Sequence, residues 1–129
     1  MRAIRNLLTC ALFAVSGAAA SAGTFEFLAA PQITLNRVYR LDKVTGEVGA
    51  CQYGLRKNNE KSIGETICYP AGQGAGPQGI GEFALVSSRH EQEAGVFRVN
   101  QRDGSISICY VLVDEDKKLE TVVCTPAGK

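Results

Sequence analysis

Downstream of residue 22, apolar and polar residues alternate in short runs, the period of a strand with one face on a core. Val38-Tyr39-Arg40-Leu41 and Val96-Phe97-Arg98-Val99 are typical, being rich in β-branched and aromatic residues. No stretch of this region holds a 3.6-residue apolar period over the roughly 10–12 residues a helix wants. The pattern predicts strands at Phe25–Ala29, Val38–Leu41, Val48–Tyr53 and Glu65–Tyr69, then at Phe83–Val86, Val96–Val99, Ile106–Val113 and Leu119–Cys124. Apolar residues fall on both strand parities in each half, so the pattern leaves open which face is buried.

The two sets of strands are copies of one another. Displacing the chain by 58 positions lays Phe25-Glu26-Phe27-Leu28 on Phe83-Ala84-Leu85-Val86, and Val38 to Asp42 on Val96 to Asn100. Gly46 then falls on Gly104, Val48 on Ile106 and Cys51 on Cys109; after a two-residue deletion, Ile67-Cys68-Tyr69-Pro70-Ala71-Gly72 meets Val123-Cys124-Thr125-Pro126-Ala127-Gly128. Ordered matches of this kind mark an internal repeat. Repeat 25–72, a flexible Gly-rich linker 73–82 and repeat 83–128 are therefore expected, each repeat a four-stranded antiparallel meander. The fold class is all-β, two tandem meanders packed as one small domain in residues 23–129.

Within each repeat a turn is written in recognisable chemistry. Asp42 opens Asp42-Lys43-Val44-Thr45-Gly46 and Asn100 opens Asn100-Gln101-Arg102-Asp103-Gly104. A side-chain oxygen at the first position can accept from amides two or three residues on. The closing Gly46 or Gly104 can take the positive φ of a type I turn followed by a bulge.

Residues 1–22 read as a secretory signal peptide: Arg2 and Arg5, a short apolar core from Leu7 to Val15, and a small-x-small end at Ala20-Ser21-Ala22. The core is shorter than the ~20 residues that span a bilayer. Cys10 is not a lipid attachment site, because Thr9 is bulkier than the small residue expected before it and most of the apolar run follows it. Cleavage leaves 12 basic against 13 acidic residues, a net charge of −1, and turns five cysteines into four. An even count suits an exported disulfide protein, periplasmic or secreted. Folding each repeat about its polar turn, Arg56–Ser62 or Asp114–Lys118, brings Cys51 opposite Cys68 and Cys109 opposite Cys124. These pairings are expected, with bridges between equivalent cysteines of the two copies as the runner-up. Each within-repeat bridge contributes ~3 kcal/mol by restricting the unfolded chain.

Charge and motifs narrow the function classes. A whole-chain charge of +1 excludes a general electrostatic grip on nucleic acid. Gly74-Ala75-Gly76-Pro77-Gln78-Gly79 spells G-x-G-x-x-G, but Pro77 interrupts it and a strand follows where a nucleotide-binding helix would begin. The single histidine, His90, lies in a polar segment with no nucleophile fixed beside it. The cysteines lack the close ligand pairs of a zinc site, and Asp114-Glu115-Asp116 lacks the spacing of a calcium loop, so no metal and no cofactor is expected. Arg40 and Arg98 occupy equivalent positions. They form either an anion-binding pair or two arginines on the wet faces of their hairpins.

Arg40-Leu41-Asp42-Lys43-Val44-Thr45-Gly46-Glu47-Val48 resembles the L-D-x-x-T-G-x-V hairpin of β-propeller blades, notably quinoprotein-type repeats, and the hairpin of small exported bacterial proteins. The second copy keeps the shape but not the Asp and Thr, and the chain has no Trp of the kind that follows this hairpin in quinoprotein repeats. The resemblance therefore implies a blade-like meander and no redox cofactor. Two blades cannot close a ring, so the two sheets are expected to pack as a monomeric domain, with assembly into something larger as the other route. The functional expectation is an exported, non-catalytic binding or inhibitory module recognising a protein or envelope component. The alternatives are an accessory subunit of an envelope complex and, third, a small hydrolase.

Overall fold

A computed structural model describes residues 23–129; the signal-peptide expectation for 1–22 lies outside the described residues. The structure is all-β. Strands β1 (Phe25–Ala29), β2 (Arg37–Asp42), β3 (Val48–Asn58) and β4 (Lys61–Tyr69) form one antiparallel sheet in that order. Strands β5 (Phe83–Ser87), β6 (Val96–Asn100), β7 (Ile106–Asp114) and β8 (Leu119–Cys124) form the second in the same order.

The hairpins follow from their turn residues. Asp42 Oδ1 accepts from the amides of Val44 (2.8 Å) and Thr45 (3.1 Å), while Gly46 N–H closes on Asp42 O (2.8 Å). In the second sheet Asn100 Oδ1 accepts from Arg102 N (3.0 Å), and Gly104 N–H closes on Asn100 O (2.8 Å). Gly46 has φ +78°, and a Cβ there would press on the Phe83 ring, so the position needs glycine on two counts. The β3–β4 hairpin is longer than its polar composition suggested. Arg56 and Ser62, expected in a loop, are strand residues, and the turn contracts to Asn59-Glu60 with Asn59 at φ 52°. Pairing continues because alternate outward side chains remain solvated while Arg56 meets Glu65 across the strands (3.5 Å).

Register sets both disulfides. Cys51 stands opposite Cys68 and Cys109 opposite Cys124, and each pair is bridged, closing separations of 17 and 15 residues.

The sheets do not pack as mirror images. The first buries the face carrying Tyr39, Leu41, Val48 and Ala50; the second buries the opposite parity, carrying Phe83, Leu85, Val96 and Cys109. Equivalent positions thus have opposite fates. Val38 is 43% exposed and Val96 0%; Phe27 is 63% exposed and Leu85 6%; Val48 is 0% exposed and Ile106 48%. The front of the first sheet lies on the back of the second, as slices stack in one direction. One hydrophobic core results.

The linker is part of this joint and not a slack tether. Ala71 bridges Val122 in parallel, Gly72 N–H donates to Val122 O (2.7 Å), and Cys124 N–H donates to Gln73 O (2.9 Å). Residues 70–73 thereby cover the outer edge of β8. Ala75 is buried and its carbonyl accepts from Val48 N (2.9 Å), tying the same segment to β3. Gly74 takes φ +74°, and a Cβ there would collide with Cys124 O. Gly72 and Gly74 serve close approach to β8, so glycine here accompanies an ordered path.

Candidate functional site

The polar contacts between the sheets show what each surface can do. Tyr39 projects from the centre of β2 and its hydroxyl donates to Ala94 O (2.6 Å); burial pushes its phenol above the ordinary range. Glu26, on the same face, accepts the Leu85 amide (3.2 Å), satisfying an exposed donor on edge strand β5. Arg98 is 5% exposed; its guanidinium donates to Gly46 O (2.9 Å), Gly74 O (3.0 Å) and Ser107 Oγ (3.2 Å). Burial lowers its pKa.

Arg98 therefore clamps the first hairpin and the linker against the second sheet, and does not lie on a wet face. Arg40, its equivalent, does face solvent, its guanidinium over the Phe25 ring at 5.4 Å. Because the buried parity inverts between the sheets, the two arginines lie on opposite sides of the first sheet and form no common anion site. Asp42, Gly46, Asn100 and Gly104 are turn residues: the Asp42 and Asn100 side chains accept amides of their own turns, while Gly46 O takes the Arg98 guanidinium. Hydrogen bonds from the Thr45 and Val44 amides hold the Asp42 carboxyl below the ordinary carboxylate range.

The other chemical candidates stay apart. His90 is exposed, its Nδ1 4.0 Å from Glu93 Oε1, in a turn closed by Glu93 N–H on His90 O. Asp114 bonds the Lys117 amide (3.1 Å) and pairs with its ammonium (3.6 Å). Among the described residues no group of three or more His, Cys, Asp or Glu side chains converges on a point where a cation would sit. A cleft of about 320 Å³ beside Arg98 carries Asp103 and Lys129, which pair with each other at 4.0 Å.

What stands out is two apolar outer surfaces. On the first sheet Phe25, Phe27, Val38, Tyr53 and Leu55 face outward around the Cys51–Cys68 bridge. A groove of about 910 Å³ runs there between Ala29, Leu35, Val38, Cys51, Tyr53 and Thr66. On the second sheet the outward parity is Val86, Phe97, Val99, Ile106, Ile108, Tyr110 and Leu112, without a charge among them. Scattered exposed apolar residues are ordinary, but contiguous faces of this kind mark interaction surfaces. The sequence carried one signal for them: apolar residues on both strand parities in both halves of the chain, more than a simple two-sheet sandwich uses.

The chain matches no protein-family model, no curated protein and no solved structure in comparisons with each. Among the described residues no helix is long and apolar enough to cross a membrane. The two disulfides suit an oxidising environment.

Proposed function

We propose that this protein is an exported, non-catalytic binding module of the periplasm or extracellular space that works through its outward sheet faces. The observation that carries the reading is the pair of charge-poor apolar faces on a scaffold held by two disulfides and by the Arg98 clamp. Rigid β scaffolds with apolar surface engage other macromolecules with little ordering cost. The chemistry fits the same reading. Among the described residues His90 pairs with Glu93, Arg102 with Glu82 and Lys117 with Asp114, which leaves the apolar faces as the main feature a partner would meet. The signal peptide read at residues 1–22 and the disulfides both support export, and the matched registers of the two sheets support descent from one duplicated meander.

The test is native mass spectrometry of the protein recovered from the exported fraction of its own cells. Mature chains held in a stoichiometric assembly through these faces are the expected result. A lone chain with nothing bound, unaltered by Phe27→Glu or Ile106→Glu in every co-purification, would overturn the reading.

A further inference from the structure

Resting on that reading, we infer that the partner of each outward face is a second copy of this chain, docked head to tail so that the second sheet of one copy lies on the first sheet of the next. The joint inside the chain is the template. There the Tyr39, Leu41, Val48, Ala50 face of the first sheet covers the Leu85, Val96, Cys109, Val122 face of the second. Each face has an equivalent left uncovered. The free face of the second sheet presents Phe97, Val99, Ile106 and Ile108 where the first buries Tyr39, Leu41, Val48 and Ala50. The free face of the first presents Phe27, Val38, Cys51 and Thr66 where the second buries Leu85, Val96, Cys109 and Val122.

The polar contacts discriminate among the ways copies could meet. Arg98 donates to Gly46 O across the internal joint. Its equivalent Arg40 is exposed, and the equivalent of Gly46 is Gly104, whose hairpin lies at the edge of the free face of the second sheet. In a head-to-tail pair Arg40 meets that Gly104 carbonyl. Tyr39 and Glu26, which make further side-chain contacts across the internal joint, are replaced by Phe97 and Ala84, so these two contacts have no counterpart in the intermolecular joint and Arg40 is the polar contact that carries over. A near-neutral mature chain sets up little repulsion between copies. Because the two mating faces differ, the contact is heterologous: each copy uses one face toward each neighbour, and the stack either closes into a ring or continues.

The test is sedimentation velocity on the mature oxidised chain purified from the exported fraction, up to about 1 mM, the weak end of measurable association. Phe27→Glu disables the free face of the first sheet and Ile106→Glu that of the second; both side chains are already exposed, and circular dichroism with thermal melting verifies folding. If either variant fails to fold, Val38→Lys and Val86→Lys replace them on the same two faces. Wild type is expected to form assemblies larger than a dimer. Each variant alone is expected to be monomeric, its dissociation constant raised more than roughly 30-fold, the size of a hot-spot loss. Their equimolar mixture is expected to stop at a one-to-one dimer, since one intact face of each kind remains. Arg40→Ala is expected to weaken wild-type association about 10-fold, the loss of one charge-assisted hydrogen bond.

Loss of association in one variant with none in the other means a symmetric contact and overturns the inference. A wild-type monomer across the whole range overturns it too. In that case a foreign protein retained in stoichiometric amount from the exported fraction leaves the binding reading standing, whereas a bare monomer removes both.

Discussion

The two sheets share strand order, register, turn chemistry and disulfide position, yet they bury opposite faces. Val96 and Cys109 are core residues; Val38 and Cys51, their equivalents, face outward. Location within a sheet does not decide a residue's role here; location in the stack does. Each sheet offers an apolar front and an apolar back, the internal joint uses one of each, and the remaining front and back define the outer surface of the molecule.

Equivalent substitutions in the two sheets separate the roles most clearly. Leu41→Ala empties a fully buried site at the joint and is expected to lower stability by about 3 kcal/mol, transfer loss plus cavity. Val99→Ala, at the half-buried equivalent, is expected to lower it by about 1 kcal/mol or less. Denaturant titration of both variants reads the difference, and equal losses would mean that the faces are buried alike. The arginine pair comes next. Arg98→Ala leaves the Gly46 and Gly74 carbonyls without their buried donor and is expected to cost about 2 kcal/mol, while Arg40→Ala stays within about 0.5 kcal/mol in dilute protein. A reversed order would place the clamp in the wrong sheet.

Smaller effects follow from titration. The folded-state pKa of Tyr39 is raised by burial, so the fold favours the neutral phenol. That contribution is complete below the ordinary tyrosine pKa of about 10 and is lost as pH climbs through the raised value. Tyr39→Phe removes this alkaline loss, whereas Phe97 at the equivalent position contributes none; unfolding against pH between about 9 and 11 reads it. The smallest difference lies in the turns. Asp42 is lowered by the Thr45 and Val44 amides, so its contribution is present above about pH 4 and fades as pH falls through the folded value. Asn100 cannot titrate, so Asp42→Asn is expected to flatten the acid limb of the stability profile, leaving whatever slope Asp103, lowered by Ser105 in the other turn, supplies.

Much of the fold was legible before the structure. The Asx-type openings and closing glycines wrote the two hairpins, and strand lengths together with polar turns set Cys51 against Cys68 and Cys109 against Cys124. Local chemistry decides those features. Stacking direction is different, because a strand with apolar residues on both parities satisfies either packing, and only the partner sheet chooses. Arg40 and Arg98 illustrate this, since two arginines in equivalent sequence contexts end on a free surface and in a buried clamp. The linker misled for a related reason. Glycines read as slack also permit the close approach to Cys124 that seats Ala75 in the core.

Opposite burial of equivalent positions is tested most directly by the disulfides themselves. Dilute, monomeric protein is treated with a water-soluble reductant under native conditions, alkylated, and mapped by mass spectrometry. Cys51–Cys68, at the outer surface, is expected to open first, with Cys109–Cys124 remaining oxidised between the sheets until the protein unfolds. Equal rates for both bridges, or prior opening of Cys109–Cys124, would contradict the face-to-back stack.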